Sequence, residues 1–338
     1  MKIVIVAWGE QGENIITASS DEFRNQGLDT ELIGILCCKD HQDPVSVFNQ
    51  KLSNANPDII LWWFWACDLE FIKTAKVTCP AAVHIMFNWD DPHCWTYKLN
   101  CMEDRLVYFD MVLACSSEQL NEYQKVVPSS HLYFPPFSPK YHYYDYSDMY
   151  ACDVSFICTN LYENKEMFPN QFVDRKALLQ AFDKSSLNFH LYGPDSVKEA
   201  APRSYKGSID FATNRQVFSS SKINLCTHVM IARDYLNERV VTCLSSKGLL
   251  LTDPSPGLGG FLKDGEHVIT MKSNNPDQIV KQAEEMVERI REYDKVKVQG
   301  QEAIQRQHLS AWVNGILEMI NKHLLTVVYF NGTPGLAV

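Results

Sequence analysis

Two adjacent carboxylic acids follow an apolar run that has the composition of a buried strand. The run at 82–87 leads directly into the sequence NWDDPH, which contains Asp90 and Asp91 and ends at His93. Adjacent carboxylates repel each other, so one can keep a raised pKa and act as a general base toward a hydroxyl. Alternatively, one acid caps a helix that begins at Pro92. His93 is either a solvated loop residue or part of the same site.

Two further sequences follow predicted strands of the first half. The first strand ends in WGEQGEN, where Gly9 and Gly12 allow close approach of the backbone to a ligand such as a phosphate. The spacing is neither G-x-G-x-x-G nor a P-loop, so an ordinary tight turn is the alternative. The cluster WWFW ends at Trp65, which either belongs to the core or, if exposed, stacks on a sugar.

Two arginines of the second half stand where an anion could bind. Arg175 follows a polar loop at the start of a predicted helix, and Arg239 opens a helix that leads into the strand at 249–252. A guanidinium beside the first turn of a helix is suited to a diphosphate, because it can donate two parallel hydrogen bonds. The alternative for each residue is a solvated side chain.

The elements that would position these residues alternate between strands and helices. Short apolar runs predict the following strands: 2–7, 31–36, 58–64, 82–87, 111–115, 131–134, 153–157, 188–192, 223–227, 249–252 and 267–270. Amphipathic segments lie between them, and this alternation predicts parallel sheets with helices on both faces. The sequence therefore predicts an α/β protein with two Rossmann-like lobes that face each other across a cleft.

A segment rich in proline and tyrosine divides the two sets of strands. Residues 133–153 include three prolines within five positions, which neither a helix nor a central strand accommodates. We therefore predict a first lobe at 1–135, a hinge at 136–151 and a second lobe at 152–310. A final helix and tail occupy 311–338.

Composition and charge restrict the class of protein. Hydrophobic residues make up 46% and charged residues 21% of 338 positions, which excludes a disordered or coiled-coil chain. No apolar stretch is long enough to span a membrane. The net charge is −10, and residues 1–150 carry 10 basic and 20 acidic side chains, which argues against nucleic acid as a partner. The 11 cysteines lack zinc-site spacing and indicate a reducing, cytoplasmic location without a metal site.

A series of short motifs in the second half resembles the donor domain of GT-B glycosyltransferases. The closest similarity is to the spore-maturation-protein (CgeB-like) group, and the acceptor-domain loop of that group also resembles the D-D-P at 90–92. The matching segments, in chain order, are DVSFIC at 153–158, RKALL at 175–179, LYG at 191–193, YKG at 205–207, SSSKINL at 219–225, NERVVTCLSSKGLLLTD at 237–253 and FLKDGEHV at 261–268.

The resemblance implies a GT-B architecture with a nucleotide-sugar donor held mainly by the second lobe. It also implies that the final helix returns to the first lobe and that no catalytic metal or separate cofactor takes part. Arg239 would neutralise the donor diphosphate, with Arg175 and Lys222 as helpers. The residues that would border the base or the phosphates are Tyr192, Gly193, Lys206, Gly207, Gly9 and Gly12.

Two motif positions depart from the family pattern, and one of them is Lys247, which replaces the first glycine of the pattern. The glutamate that usually binds the ribose hydroxyls of the donor is Thr242 here. A threonine hydroxyl donates a single hydrogen, whereas a carboxylate accepts two hydrogen bonds. The resemblance therefore implies either a different mode of nucleotide binding or impaired donor binding.

The function expected from this resemblance is transfer of a sugar from a nucleotide sugar to an acceptor hydroxyl. The acceptor, a carbohydrate or another hydroxyl compound, would lie in the first lobe near Trp65 and His93, and Asp90 or Asp91 would be the base if the reaction inverts. One alternative is a binding or structural protein that has kept the fold without turnover. Another is a transferase that acts on modified DNA bases.

Overall fold

Two parallel sheets form the framework of the protein. The computed structural model describes residues 1–9, 14–63, 68–88, 104–118, 120–166 and 168–331. Within these residues the chain forms two six-stranded sheets, one in each half of the sequence. Every strand pair in both sheets is parallel, as the alternation of strands and helices predicted.

The first lobe has the strand order β2-β1-β3-β4-β5-β6. Its strands are β1 (Lys2–Ala7), β2 (Asp29–Gly34), β3 (Ile59–Trp62), β4 (Val83–Asn88), β5 (Met111–Ala114) and β6 (Ser130–Leu132). Its described helices are α1 (Ile15–Asn25), α2 (Ile35–Lys39), α3 (Pro44–Ala55), α4 (Leu69–Thr78) and α5 (Leu120–Val126). The central strands β3, β4 and β5 are buried at every position, as expected for a sheet covered on both faces.

The second lobe has the strand order β12-β11-β10-β7-β8-β9. Its strands are β7 (Cys152–Ile157), β8 (Phe189–Tyr192), β9 (Tyr205–Gly207), β10 (Ser221–Cys226), β11 (Leu250–Thr252) and β12 (Ile269–Thr270). Its helices are α6 (Arg175–Lys184), α7 (Asn214–Ser220), α8 (Glu238–Ser245), α9 (Pro276–Glu288) and α10 (Asp294–Ala303). Short 3₁₀ turns lie at 148–150, 195–200, 258–260, 290–293 and 304–307.

The last helix, α11 (Leu309–Asn331), packs on the first lobe. Its buried face joins the core formed by β1, β3, β4 and β5. The centroid of the Trp312 ring lies 5.2 Å from the ring centroids of both Trp63 and Phe87. The Trp312 indole also donates to the Phe134 carbonyl at 2.9 Å. The chain therefore crosses between the lobes twice, once at the proline-rich segment and once before α11.

Helix boundaries near the end of the chain differ from the predicted ones. The sequence predicted one helix at 276–293 and another at 301–325, whereas α9 ends at Glu288 and a separate α10 precedes α11. Phe137 of the proline-rich segment causes the second break, because its backbone pairs with Gln307 and Leu309 at 2.9 and 3.0 Å. Those hydrogen bonds replace the ones that a continuous helix would make.

Among the described residues, no helix combines the length and apolar character needed to cross a membrane.

Candidate functional site

A cavity of about 300 Å³ lies at the carboxyl edge of the second sheet. The ends of β7 and β10, the start of α6 and the first turn of α8 converge there. The cavity is lined by Ile157, Thr159, Tyr162, Arg175, Phe211, Asn214, Phe218, Thr227, Val229, Tyr235, Asn237, Glu238, Arg239 and Thr242. Ligands of parallel sheets bind at this edge because the helices that follow the strands begin there.

Arg239 presents an uncompensated positive charge to this cavity. Its side chain is partly buried, and its described contacts are a weak one of 4.0 Å to the Cys226 sulfur and the Phe156 ring, whose centroid lies 5.6 Å from the guanidinium carbon. Within the described part of the chain, no carboxylate forms an ion pair with Arg239. A desolvated cation without a counter-ion is costly, so this position favours an anionic ligand.

The Arg175 guanidinium, in contrast, is held by hydrogen bonds within the protein. Its Nε donates to the Thr227 hydroxyl at 2.7 Å, its Nη2 to the Thr227 carbonyl at 2.7 Å, and its Nη1 to the Asn160 carbonyl at 2.6 Å. The Tyr162 ring covers the guanidinium at 4.5 Å. Burial and the nearby charge of Arg239 lower the pKa of Arg175 below its ordinary value. Arg175 thus adds charge to the cavity while its hydrogen bonds fix the surrounding loops.

A buried acid stands behind the two arginines at the end of β11. Asp253 has no solvent exposure, and one of its oxygens accepts the His228 backbone N–H at 2.5 Å. The same oxygen lies 3.4 Å from the His228 Nδ1. The charge of Asp253 acts on Arg175 and offsets part of the repulsion between the arginines. It leaves the cavity side of Arg239 positive.

The amino end of α8 adds backbone donors to the same place. Asn237 caps this helix, because its side-chain oxygen accepts the Val240 N–H at 3.1 Å. The N–H groups of Glu238 and Arg239, the first two helical residues, have no partner within an α-helix. Together with the helix dipole they favour an anion in front of Arg239. This arrangement is suited to a phosphate or diphosphate group.

Two further residues of α8 line the cavity one helical turn apart. Thr242 is buried, and its hydroxyl donates back to the Arg239 carbonyl at 3.4 Å. Glu238 precedes it by four residues, and its Oε1 is buried without a hydrogen-bond partner among the described residues. Desolvation raises the pKa of Glu238 to about 7, although the charge of Arg239 opposes this shift. The site therefore holds a carboxylate with one buried oxygen that no described residue binds.

The first lobe contacts the second beside this cavity. The Ser117 backbone donates to the Arg233 carbonyl at 3.0 Å, and the Ser117 hydroxyl bonds to the Asp234 carboxylate at 2.5 Å. In return the Arg233 backbone donates to Glu118 at 2.8 Å. Gly257 backs Asp234 at a φ of +84°, and any side chain there would overlap the Asp234 carboxylate. The loop that carries Tyr235 into the cavity is thus held against the first lobe.

Of the predicted donor residues that lie outside this lining, four belong to β8 and β9 or follow them directly. Tyr192 is buried at the end of β8, where its hydroxyl lies 3.2 Å from the His190 Nδ1 and its ring contacts Tyr150. Gly193 is needed for packing, because a Cβ there would overlap the Cys158 carbonyl oxygen. Lys206 and Gly207 belong to the edge strand β9, with Lys206 exposed and Gly207 at a φ of +95°.

The structure places Lys222 at the opposite edge of the sheet from Arg239. Lys222 is the second residue of β10, whereas Cys226, beside Arg239, is the last. Its Nζ pairs with the Asp153 carboxylate at 2.7 Å. A strand rises about 3.3 Å per residue, so more than 10 Å separate the two positions along β10. This placement does not support the expectation that Lys222 helps to bind the diphosphate.

Most of the first-lobe candidates lie outside the described residues. These are Gly12, Trp65, Asp90, Asp91 and His93. Gly9 follows β1, and a Cβ there would meet no atom of the described residues within 4 Å. The predicted base and acceptor-side residues thus remain predictions.

Sequence reasoning missed Glu238, Asp253 and Asn237 as parts of this site. Asn237 and Asp253 stand at the two ends of the matched motif at 237–253, and Glu238 is an acid next to an arginine in the first turn of a helix, but the burial of Glu238 could not be inferred from that pattern. Asp253 was expected at the end of a strand, but its buried contact with His228 joins two strands that lie 25 residues apart.

Comparisons with known proteins match part of the second lobe to a family model. Residues 175–317 match the family model described as glycosyl transferase-like, and this range includes Arg175, Glu238, Arg239 and Thr242. No curated protein is similar enough in sequence to give a match.

Solved structures show the same overall fold. Sucrose-phosphate synthase from Thermosynechococcus elongatus superposes with a TM-score of 0.70 at 9% identity over 96% of this chain and 99% of its own. Anabaena Alr3699/HepE, in complex with UDP and glucose, superposes with a TM-score of 0.68 at 10% identity, over 95% of this chain and 100% of its own. A glycosyltransferase from Rickettsia africae superposes with a TM-score of 0.63 at 12% identity, over 96% of this chain and 98% of its own. The chain therefore has the two-lobed GT-B fold that the sequence predicted.

Proposed function

We propose that the protein is a glycosyltransferase that binds a nucleotide sugar at the carboxyl edge of its second sheet. The observation that carries this proposal is the uncompensated charge of Arg239, which faces a cavity at the first turn of α8. The match of this lobe to a glycosyl transferase-like family and the UDP bound to a protein of the same fold support it. The acceptor is a carbohydrate or another compound with a free hydroxyl.

The chemistry follows from the charge that develops in this reaction. The acceptor oxygen attacks the anomeric carbon of the sugar, and the bond from that carbon to the phosphate oxygen breaks. The electron pair leaves with the nucleoside diphosphate, which gains negative charge. Arg239 and the free N–H groups of α8 are fixed in place before the reaction, so they stabilise this charge without reorganisation. We propose that these cations and dipoles perform the role without a metal.

The proton of the acceptor hydroxyl needs a base if the reaction inverts the anomeric centre. We propose Asp90 or Asp91 for this role, since both follow β4 in the sequence and ligands of parallel sheets bind where the strands end. Replacing the base by asparagine should lower turnover by about 10²–10⁴-fold while donor affinity stays nearly constant. If both single variants keep full turnover, neither acid is the base.

The binding step is tested by thermal shift with a panel of nucleoside diphosphates and nucleotide sugars. A ligand at about 100 times its Kd stabilises the folded protein by about 2.7 kcal/mol. We expect a clear rise in melting temperature with one nucleoside diphosphate and none with the free nucleoside, because Arg239 binds the diphosphate. A panel without any stabilising member would contradict the proposal.

Turnover separates an enzyme from an inactive scaffold of the same fold. We expect slow hydrolysis of the matching nucleotide sugar in the absence of acceptor, measured as release of the nucleoside diphosphate. Donor binding without any hydrolysis or transfer would instead indicate a binding protein. Duplex DNA at low salt tests the remaining alternative, and with a net charge of −10 we expect no complex.

Two finer assignments belong to the same proposal. Membership of the CgeB-like group rests on the order of the motifs between 153 and 268. A cytoplasmic location rests on the scattered cysteines, of which those at 79, 152, 158, 226 and 243 are buried free thiols.

A further inference from the structure

The amino edge of the second sheet carries a concave surface that the proposed nucleotide site does not use. A cavity of about 830 Å³ lies there, between the segment rich in proline and tyrosine and the first turns of α10. Residues at or beside the starts of β7, β8 and β10 form part of its lining, namely Cys152, Asn188 and Ser221. The lining of this amino-edge cavity combines tyrosine rings with hydroxyl and charged groups.

Two aromatic rings of the amino-edge cavity remain exposed. Tyr144 and Tyr146 keep 54% and 51% of their surface in water, and they stand two residues apart in the same segment. The Tyr146 hydroxyl donates to the Asp148 carboxylate at 2.9 Å, and the Lys247 Nζ lies 5.7 Å from the Tyr144 centroid. Exposed tyrosines are suited to binding, because each offers a large ring that loses little conformational entropy on contact.

Hydrogen bonds to α7 hold the segment that carries these rings. The Asp145 N–H donates to the Ser219 hydroxyl at 2.9 Å, and the Ser147 N–H donates to the Ser220 hydroxyl at 2.8 Å. The Asp145 carboxylate also accepts from the Arg215 Nε at 2.9 Å. Alternate residues of the segment are thus bound to the helix, whereas the two tyrosines that alternate with them line the cavity. Because the segment is fixed before a ligand arrives, binding costs less entropy.

The charged groups of the lining are stabilised without a ligand. The Lys222 Nζ lies 2.7 Å from an Asp153 oxygen, and the Lys297 Nζ lies 3.8 Å from an Asp294 oxygen. Arg291 is exposed to water. A small anion would compete with these acids and with water, so the cavity favours a ligand without charge.

A carbohydrate chain has the chemistry that this lining would recognise. One face of a pyranose ring presents C–H groups that can cover a tyrosine ring, while the sugar hydroxyls donate and accept hydrogen bonds. The ion-paired Asp153 and Lys222 and the exposed Asn188 are partners for such hydroxyls, and hydrogen bonds to ionised groups are the stronger ones. An apolar side chain of a protein partner fits less well, because it would cover these polar groups without replacing their hydrogen bonds to water.

We propose that the amino-edge cavity binds a neutral carbohydrate chain, with sugar rings stacked on Tyr144 and Tyr146. This inference goes beyond the proposed function, since it concerns a second ligand at the opposite edge of the sheet from Arg239. In a glycosyltransferase such a site keeps a polymeric acceptor on the protein and so raises its effective concentration at the site of transfer.

The test is a calorimetric titration of the nucleotide-free protein with defined oligosaccharides. The probes are neutral hexasaccharides of glucose, mannose, xylose and N-acetylglucosamine, with hexagalacturonate as the charged counterpart. We expect at least one neutral hexasaccharide to bind. Tyr144→Ala and Tyr146→Ala should each weaken this binding by about threefold to tenfold, the range for stacking on an aromatic side chain.

Two matched variants separate stacking from other effects of substitution. Tyr143 belongs to the same segment and is 44% exposed, but its ring lies 4.7 Å from the Arg215 guanidinium and it does not line the cavity. We expect Tyr143→Ala to keep the hexasaccharide affinity within about twofold, as is usual for a surface substitution outside a site. Tyr146→Phe keeps the ring and should retain most of the affinity. Circular dichroism checks that each variant is folded.

The outcomes that overturn the inference are distinct. If no neutral hexasaccharide binds, the inference is wrong. If one binds and both Tyr144→Ala and Tyr146→Ala keep the wild-type affinity, the chain binds elsewhere and the assignment to the amino-edge cavity is wrong. Binding of hexagalacturonate alone, lost at high salt, would make the cavity a basic surface. Self-association that the alanine variants abolish, without sugar binding, would assign the rings to a contact between two copies of this chain.

The nucleotide measurements keep this inference separate from the proposed function. We expect Tyr144→Ala and Tyr146→Ala to bind the matching nucleoside diphosphate as the wild type does, because both rings lie at the opposite edge of the sheet. If no nucleoside diphosphate binds the wild type, the proposed function fails, and the hexasaccharide titration still decides the inference.

Discussion

The two edges of the second sheet place basic residues in opposite environments. At the carboxyl edge, Arg175 and Arg239 approach one ring, each with its guanidinium carbon 5.6 Å from the Phe156 centroid, and no carboxylate pairs with either among the described residues. At the amino edge, a larger cavity of about 830 Å³ is lined by Lys222 and Lys297. The Nζ of Lys222 lies 2.7 Å from the Asp153 carboxylate, and the Nζ of Lys297 lies 3.8 Å from the Asp294 carboxylate. At the carboxyl edge no ion pair within the described residues neutralises Arg239, although Asp253 acts on Arg175, whereas Lys222 and Lys297 at the amino edge lie beside aspartates.

This contrast shows why cavity size does not identify the functional site. In the amino-edge cavity, neighbouring acids already stabilise the charges of Lys222 and Lys297, and Lys222 is also exposed to water. The smaller cavity holds desolvated charges that only a ligand can compensate. Burial without a partner, rather than the number of cations, separates an anion-binding site from a basic surface.

The largest expected effect is the loss of stability in Arg175→Ala. Three hydrogen bonds join this guanidinium to Thr227 and Asn160, and their removal leaves buried acceptors unsatisfied. We expect a loss of about 3 kcal/mol or more in the free energy of unfolding, measured by urea denaturation. A loss below about 1 kcal/mol would show that Arg175 does not fix these loops.

The next effect is a pH-dependent gain of stability in Glu238→Gln. The folded protein holds a proton on Glu238 up to a pKa of about 7, compared with an ordinary value of 4.5. The folded state thus binds more protons than the unfolded state in this window, and the wild type loses stability as pH rises from 4.5 to 7. Each pKa unit corresponds to about 1.4 kcal/mol, so the variant should gain up to about 3 kcal/mol over the wild type at pH 8.

Denaturation at pH 4.5 and pH 8 measures this difference directly. At pH 4.5 the two proteins should have nearly equal stability, since Glu238 is protonated in the folded wild type. A stability difference that is the same at both pH values would mean that Glu238 is not desolvated. The comparison uses free protein, so it does not depend on the nucleotide.

Arg239→Ala should weaken nucleoside diphosphate binding by about 10- to 100-fold, the range for hydrogen bonds to a charged group. Because Arg239 has no counter-ion among the described residues, its removal should leave the stability of the free protein unchanged or increased. Arg239→Lys keeps the charge without the planar fork and should give an intermediate affinity. Unchanged affinity in Arg239→Ala would contradict the account of the carboxyl edge.

The smallest effect is expected for Lys222→Ala, the matched control at the amino edge. Its ion pair with Asp153 is solvent-exposed, and such pairs contribute at most about 1 kcal/mol to stability. We expect nucleotide affinity within about twofold of the wild type. If Lys222→Ala weakened nucleotide binding as much as Arg239→Ala, the ligand would bind at the amino edge rather than at the carboxyl edge.

The sequence predicted the sheets well because their strands are buried on both faces. β1 has the predicted bounds Lys2–Ala7, and β7 begins one residue earlier than predicted, at Cys152. Helix ends were predicted less well where tertiary contacts decide them. The break before α11 depends on the pairing of Phe137 with residues 307–309, which no local pattern reveals.

A residue of the candidate site could be predicted from the sequence only where it belonged to a matched family motif and also stood at the start of a predicted helix. Arg239 stands at the head of a helix after a strand, and the structure places it in the carboxyl-edge cavity. Lys222 was assigned from the same series of motifs, although it precedes the predicted strand at 223–227 and therefore stands at the amino end, away from the edge where ligands of parallel sheets bind. The burial of Glu238 depends on the packing of distant loops and could not be inferred.

A crystal structure of the protein with its tightest nucleoside diphosphate tests the central claim most directly. We expect the diphosphate at the amino end of α8, with its oxygens within about 3 Å of the Arg239 guanidinium, the usual length of such hydrogen bonds. A diphosphate bound at the amino edge beside Lys222, or an Arg239 side chain that points away from the phosphates, would contradict it.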